Sequence, residues 1–313
     1  MNVVGHKKQW NFLKDRFEQG QLSHAYLFAG PSEVGKKKFA LDFIKLINCI
    51  GEKCKGKGTC KNCKMVEGLS HPDLLMVEAK DNSEIQISQI RQVQQFLSLK
   101  PYYSSFKVVL IDEAEKMNQE AQSCFLKTLE EPKGNTILIL ISSKPETLLT
   151  TIFSRCQVIK FFNISRKEIQ DYFIEKGLPT KQAETIASIS EGKLGRAIKL
   201  LDKDGLEKEK EALNEIIKVC GSDIASKFQY VKNLPEESFS KSLSIIKRYL
   251  RHLLFLKLQI NDLSYLSEVS DKFKTMSIIK INRALKLTEK IDFQILTTNA
   301  SQKLALEILL LEI

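Results

Sequence analysis

The sequence predicts an α/β domain on a parallel sheet, followed by an all-helical C-terminal half. Three observations predict it. Short apolar runs alternate with helical patterns through the first half, a glycine-rich loop joins one such run to a helix, and the strand signal disappears after Phe162. The chain has 313 residues, 43% of them hydrophobic, and a mean hydropathy of −0.18. That describes a soluble globular protein too long for one ordinary core, so two or three domains are expected.

The strand candidates are Tyr26–Ala29, Leu74–Val77, Lys107–Ile111 and Thr136–Ile141, with a further apolar run at Val158–Phe162. Short runs of this kind, rich in β-branched or aromatic residues, suit strands covered on both faces, as a parallel sheet requires. A helical run from Phe39 to Ile47 follows the first strand, and Ile87, Ile90, Val93 and Leu97, with Ser88 near the start, mark another helix. Asn163–Leu201 reads as small helices broken at Gly177-Leu178-Pro179 and Gly192. From about Asp204 the pattern is helical throughout. Ile245, Tyr249, His252, Leu253 and Leu256 form one expected core stripe, and Leu304, Ile308 and Leu311 another. The expected organisation is an α/β domain over residues 1–162, a small helical segment over 163–204 and a helical domain over 205–313.

Gly30-Pro31-Ser32-Glu33-Val34-Gly35-Lys36-Lys37 fits G-x-x-x-x-G-K-[ST] at every position but the last. Strand, loop and helix occur in the order that the motif needs. Gly30 and Gly35 let backbone N–H groups close around phosphate oxygens, and Lys36 reaches the β/γ-phosphates. The last position normally carries a hydroxyl that ligates Mg²⁺. Lys37 cannot ligate a metal, so the loop reads as a nucleotide cradle without its hydrolytic part. Val108-Val109-Leu110-Ile111-Asp112-Glu113 is an apolar strand ending in two carboxylates. After a phosphate loop, the first such acid holds Mg²⁺ and the next orients a water; elsewhere the pattern is an ordinary strand end with solvated acids.

Cys49, Cys54, Cys60 and Cys63 follow C-x4-C-x5-C-x2-C. Four thiolates satisfy a closed tetrahedral Zn²⁺ site, which leaves no open position for water and is therefore structural. Lys53, Lys55, Lys57, Lys61 and Lys64 surround the module, over residues 49–63, and offset its negative charge. The polar stretch between Glu52 and Cys60 has little else to hold it folded. Cys124, Cys156 and Cys220 are expected in the core. Seven cysteines without an export signal at Met1–His6 indicate a reducing compartment. The net charge of +10 suggests a polyanionic or acidic partner. No apolar run approaches the roughly 20 residues that span a membrane. Arg155, in Ser154-Arg155-Cys156, stands at an element boundary. There it either makes a surface salt bridge or projects towards a nucleotide on a neighbouring subunit.

Together these residues resemble the AAA+ clamp-loader subunits of bacterial DNA polymerase III. Leu22-Ser23-His24-Ala25-Tyr26-Leu27-Phe28-Ala29-Gly30-Pro31 looks like that family's entry into its phosphate loop. Phe125-Leu126-Lys127-Thr128-Leu129-Glu130-Glu131-Pro132 resembles its helix before the sensor-1 strand, and Thr151-Ile152-Phe153-Ser154-Arg155-Cys156 resembles its SRC box. Glu191-Gly192-Lys193-Leu194-Gly195-Arg196-Ala197 resembles its sensor-2 segment. The four-cysteine module sits where these subunits carry zinc, although Lys57 stands near the second expected cysteine, so Cys54 must supply the fourth ligand. Within the family, motor subunits keep Thr or Ser after the loop lysine. Lys37, and the Ile85-Gln86-Ile87-Ser88-Gln89-Ile90-Arg91 segment, are similar instead to a stator branch that loses the hydroxyl and keeps the arginine finger. The chain also ends without the long tail of the longer motor form. Intact Asp112-Glu113 is the motor-like exception.

The resemblance implies a RecA-like α/β domain with a zinc-binding insert, a small helical lid over 163–204 and an all-α collar over 205–313 that joins a hetero-pentamer. It implies partnership with gamma/tau and delta subunits, and through them with the sliding clamp and primer-template DNA, in the cytoplasm. Arg155 would act in trans on a neighbour's ATP. Gly30, Gly35, Lys36, Lys37, Asp112, Glu113 and Arg196 would form a degenerate nucleotide site, in which ATP and Mg²⁺ binding are in doubt and hydrolysis by the isolated chain is not expected. Two alternatives remain. One is an active motor ATPase of the same assembly, marked by Mg²⁺-nucleotide binding and turnover. The other is a free-standing zinc protein that binds nucleic acid directly, marked by steep salt dependence.

Overall fold

The computed structural model describes residues 4–51, 54, 56–79, 83–202, 205–235, 238–259, 276–297 and 301–313. Lys53, Lys55 and Asp204, named above, lie outside the described residues. The chain divides into two compact units, 1–197 and 198–313.

The first unit opens with α1 (Lys7–Glu18), β1 (Ala25–Ala29), α2 (Lys36–Ile47), α3 (Lys61–Glu67) and β2 (Leu74–Val77). It continues through α4 (Ile87–Leu97), β3 (Lys107–Ile111), α5 (Gln119–Glu130), β4 (Thr136–Ser142), α6 (Thr150–Arg155) and β5 (Gln157–Lys160). The five strands form one sheet in the order β2-β3-β4-β1-β5, and each neighbouring pair is parallel. Strand alternation divides the core in two. Ala25, Leu27, Val109, Ile111, Leu138 and Leu140 face α4 and α5, where Ile90, Val93, Phe125 and Leu129 cover them. Tyr26, Phe28, Val108, Leu110, Ile137 and Ile139 face the other way, against Leu13 of α1 and Phe39, Phe43, Ile44 and Ile47 of α2. This is the parallel α/β architecture expected, of RecA-like type. The Val158–Phe162 run overlaps the fifth strand, Gln157–Lys160, which pairs with β1 from Tyr26↔Gln157 to Ala29↔Lys160 and ends before Phe161.

Buried Asp73 fixes one end of β2. Its carboxylate accepts the backbone N–H groups of Tyr102, Tyr103 and Ser104 at 2.7, 2.6 and 2.9 Å. This ties down the connection into β3 and leaves the Tyr102 and Tyr103 rings exposed. Hydrogen bonds to a charged acceptor contribute about 1.5–3 kcal/mol each, less where water replaces the carboxylate. Asp73→Ala is therefore expected to lower stability by about 2–4 kcal/mol, read as a shifted midpoint in urea unfolding with an unchanged slope.

Three helices complete the first unit's sequence: α7 (Arg166–Glu175), α8 (Thr180–Ile189) and α9 (Leu194–Leu201), with the division between units falling inside α9. Ser165 caps α7 in a reciprocal box with Glu168, so the helix begins where the strand signal ends. Gly177-Leu178-Pro179 separates α7 from α8, as the sequence implies.

The second unit holds α10 (Gly205–Gly221), α11 (Ile224–Asn233), α12 (Phe239–Lys257), α13 (Ile278–Thr297) and α14 (Gln302–Glu312). Its core includes Ile216, Val231, Ile246, Tyr249, Leu253, Ile281 and Leu309. Arg248 of α12 is ion-paired with Glu209 of α10, and the buried Lys227 ammonium of α11 donates to the Leu310 carbonyl at 2.8 Å. The stripe on α12 holds for Ile245, Tyr249, His252 and Leu253, but Leu256 is 46% exposed. The stripe on α14 is corrected: Leu304, Ile308 and Leu311 are 56, 46 and 50% exposed, while Ala305, Leu306, Leu309 and Leu310 are buried. Apolar residues surround most of that helix, so a spacing of three or four fits both faces and cannot choose between them. No helix among the described residues is long and apolar enough to cross a membrane.

Candidate functional site

The Gly30–Lys37 loop leaves the C-terminal end of β1 and enters α2. Gly30 has φ +152°, and a Cβ there would lie 2.2 Å from the Phe161 carbonyl oxygen. The loop therefore passes the chain beyond β5 too closely for any side chain. Gly35 is the N-cap of α2 at φ +98°, in the left-handed region, and offers no side-chain cap to the first-turn N–H groups. The Gly195 N–H, from α9, donates to the Glu33 carbonyl at 2.7 Å, so this loop is also held from the C-terminal side of the unit.

The two lysines after Gly35 go different ways. Lys36 is 5% exposed, and its ammonium donates to the Gly30 and Pro31 carbonyls at 2.5 and 2.6 Å. Burial pulls its pKa down to about 8, against the opposing pull of Glu115 and Asp112. Lys37 crosses to the strand ends. Its ammonium lies 3.1 Å from Glu78 Oε2 and 3.1 Å from Asp112 Oδ2. Burial alone would lower the Lys37 pKa, but hydrogen bonds and charge from Glu78 and Asp112 outweigh it and hold the pKa above the ordinary lysine value.

Glu78 is absent from the sequence reading, and register explains its place. Val77 pairs with Ile111, so the residues that follow them, Glu78 and Asp112, leave adjacent strands side by side. A carboxylate directly after a buried strand was the available signal, the same one that singles out Asp112. Glu113 turns elsewhere: it sits at φ +50°, and its carboxylate pairs with Lys116 at 2.8 Å. Glu115 is the acid that turns inward. One oxygen accepts the Ser143 N–H at 3.0 Å and the Ser143 hydroxyl, which ties it to the end of β4. Its other oxygen is buried and meets no donor among the described residues. Arg196 pairs with Glu191 at 3.7 Å on the α9 segment.

The four cysteine thiols come together. Cys49, Cys54, Cys60 and Cys63 bring all four Sγ atoms within 4.8 Å of one another, a group that could hold a metal ion. Cys49 and Cys60 Sγ are 3.8 Å apart, and Cys54 and Cys63 Sγ 3.7 Å apart. A tetrahedral zinc with Zn–S of about 2.3 Å requires S···S edges of about 3.8 Å, so the donor set fits that ion. Cys60 is the N-cap of α3 and its Sγ accepts the Cys63 N–H at 3.5 Å; the Cys60 N–H in turn points at Cys54 Sγ at 3.4 Å. Backbone donors aimed at sulfur stabilise thiolates. Without a metal, burial pushes the Cys63 thiol up, while the Thr59 hydroxyl draws Cys54 down to about 5. Cys54 thus takes its place in the group despite the shifted spacing. Of the remaining thiols, Cys156 and Cys220 are buried and Cys124 is half-buried, beside the Gln94 amide at 3.6 Å.

Arg155 ends α6, two residues before β5. That is the N-terminal edge of a parallel sheet, whereas the Gly30–Lys37 loop, Glu78 and Asp112 follow the C-terminal ends of their strands. Strands of four or five residues separate these edges by roughly 13–17 Å. Arg155 and the loop lysines are therefore not one site. The Arg155 guanidinium donates to the Thr151 carbonyl at 3.1 Å and pairs with Glu130 at 2.7 Å, with its side chain 36% exposed.

A family model described as "DNA polymerase III, delta subunit" matches residues 5–165, about half of the chain. DNA polymerase III subunit delta' of Bacillus subtilis is 31% identical over 221 residues, covering 71% of this chain and 67% of that protein. DNA polymerase III subunit tau of the same organism is 32% identical over 216 residues, but the match spans 64% of this chain and 37% of that protein. A solved DNA polymerase III gamma subunit-related protein from Thermotoga maritima shares the fold, with a TM-score of 0.50 at 18% identity over 96% of this chain and 97% of that one. The chain belongs to the DNA polymerase III delta-subunit family, on its delta-prime branch.

Proposed function

We propose that this clamp-loader subunit is a stator: it helps load a ring-shaped sliding clamp onto primed DNA without hydrolysing ATP itself, and lends Arg155 to the ATP of a neighbouring motor subunit. The observation that carries this reading is the position of Arg155. A half-buried guanidinium on the sheet edge opposite the chain's own loop is out of reach of a nucleotide held there, so any nucleotide it serves is held by another chain. The capture of Asp112 by Lys37 supports the other half. A carboxylate already paired with an ammonium is a poor metal ligand, so the intact Asp112-Glu113 pair need not signal an active site. The motor alternative loses its main support by the same contact.

The remaining parts follow the family pattern. The α7–α9 segment, over 163–204, is the small helical lid, and Arg196 belongs to it. The helical domain over 205–313 is the collar through which gamma/tau and delta subunits assemble into a hetero-pentamer. Exposed Leu304, Ile308 and Leu311 offer that domain an apolar contact face. Zinc at the four cysteines is structural. The setting is the cytoplasm.

The test is assembly. Mixed with gamma/tau and delta subunits, the chain is expected to co-elute as one complex that loads clamps on primed DNA, and the complex lacking it is expected to fail. Turnover by the isolated chain near the ~10 s⁻¹ median of enzymes would restore the motor reading. Failure to co-elute, together with tight, salt-sensitive binding of primed DNA by the chain alone, would favour the free-standing nucleic-acid-binding alternative.

A further inference from the structure

We infer that the Gly30–Lys37 loop takes the polyphosphate of a nucleotide without a divalent metal, the Lys37 ammonium standing where Mg²⁺ stands in hydrolytic loops. This rests on reading the loop as a nucleotide site, and it goes beyond the loss of hydrolysis.

The residues present do not fit Mg²⁺. A hydroxyl after the loop lysine and an acid at the end of a nearby strand normally hold that ion. Here the hydroxyl is replaced by Lys37, and the acid, Asp112, is 3.1 Å from the Lys37 ammonium. Glu78 grips the same ammonium from the adjacent strand at 3.1 Å. Two carboxylates on neighbouring strand ends fix one cation in place, and a divalent ion could take Asp112 only by displacing that ammonium, which repels it at short range.

What remains still suits an anion. The Lys37 ammonium has three N–H donors; two are directed at Asp112 and Glu78, and the third has no acceptor among the described residues. Gly35 gives α2 no side-chain cap, so its first-turn N–H groups remain available to phosphate oxygens. Lys36 is buried with only neutral carbonyls as direct partners. Such a lysine gains a counter-charge when a phosphate arrives, which is the direction its lowered pKa favours. The two lysines are balanced by Asp112 and Glu78, so the site is expected to bind more weakly than a metal-bearing loop.

The test titrates the full chain with a fluorescent ATP analogue, once in EDTA and once in excess Mg²⁺. Binding is expected in EDTA below about 1 mM, at least as tight as in Mg²⁺, because chelated ATP carries the excluded ion into the site. Affinity is expected to fall as the pH rises above about 8, where free Lys36 loses its proton. Lys37→Thr is expected to reverse the preference, with tenfold or greater dependence on Mg²⁺, and to bind Mn²⁺ with nucleotide by electron paramagnetic resonance where the parent chain binds none. Wild-type binding that requires Mg²⁺, no binding in EDTA by a folded chain, or metal-independent binding that survives Lys37→Thr would each overturn the inference. Mg²⁺-dependent binding without turnover would overturn this inference alone, whereas turnover by the isolated chain or failure to co-elute with gamma/tau and delta would count against the stator reading.

Discussion

Cys63→Ser is expected to strip the metal from the chain and unfold residues 49–64 while leaving the main sheet intact. Metal analysis of the purified parent should return one Zn²⁺ per chain, and the variant none. The reason is local. Cys63 is fully buried, its thiol 3.8 Å from the Lys45 carbonyl of α2, and α3 is only seven residues long. A helix of two turns does not persist by itself. Besides Cys63, Val66 anchors it in the core beneath the sheet and the buried Asn62 amide donates to the Asn48 carbonyl at 3.1 Å. Structural zinc contributes roughly 10–16 kcal/mol in isolated zinc-finger peptides, far more than those two contacts can replace. The polar chain between the cysteines is expected to become the preferred cleavage site in limited proteolysis, and the remaining three module thiols to react with a thiol reagent. Because protons compete with the metal for thiolate, zinc is expected to be released as the pH falls. The sheet domain has its own two-sided core, so its cooperative unfolding should persist with a modestly lower midpoint. A purified parent protein without metal, whose four module thiols react freely, would remove the zinc assignment.

How much of this was legible in the sequence depended on whether a signal was local. Four of the five strands, the Gly30–Lys37 loop and the cysteine module are local patterns, and the structure places them as read. The fifth strand was visible as an apolar run but not as a strand, because Val158 to Phe162 carries no flanking turn signal of its own; its pairing with β1 is a long-range fact. The α14 face was misread for the opposite reason, an excess of local signal, since seven of its residues are apolar and only packing against the other helices selects among them. In the site, Lys36, Lys37 and Asp112 came from motif positions. Their meeting did not: the contact of Lys37 with Asp112 and Glu78 spans 75 and 41 residues of sequence and is set by strand order and register. Glu115 and Ser143 were missed likewise, because a carboxylate that turns inward looks the same in sequence as Glu113, which turns out. The opposition of Arg155 to the loop needed the run after it to be known as a strand parallel to β1, after which its edge follows from counting.

Arg155→Ala is expected to leave the fold and the assembly intact and to lower the DNA- and clamp-stimulated ATPase of the complex, and clamp loading with it. Charge develops on the phosphate oxygens as a γ-phosphoryl group leaves, and an arginine supplied by a neighbouring chain contributes roughly 10³–10⁵ in rate where it is fully engaged. The planar, permanently charged guanidinium suits this better than an ammonium, so Arg155→Lys should rescue little. Several sites fire in such an assembly, so the total rate is expected to fall several-fold rather than to zero. The contact with Glu130 supplies the control. In the isolated chain Arg155 holds Glu130 at 2.7 Å while both side chains remain partly exposed, and a surface pair of this kind contributes at most about 1 kcal/mol. If the pair were the whole purpose of Arg155, Glu130→Gln and Arg155→Ala would cost the same small amount of stability and neither would change loading. If Arg155 serves a neighbour, the two part company: Arg155→Ala slows the complex, whereas Glu130→Gln only frees the guanidinium and leaves the rate near that of the parent. Equal rates for the parent and Arg155→Ala complexes would take away the mechanistic half of the stator reading.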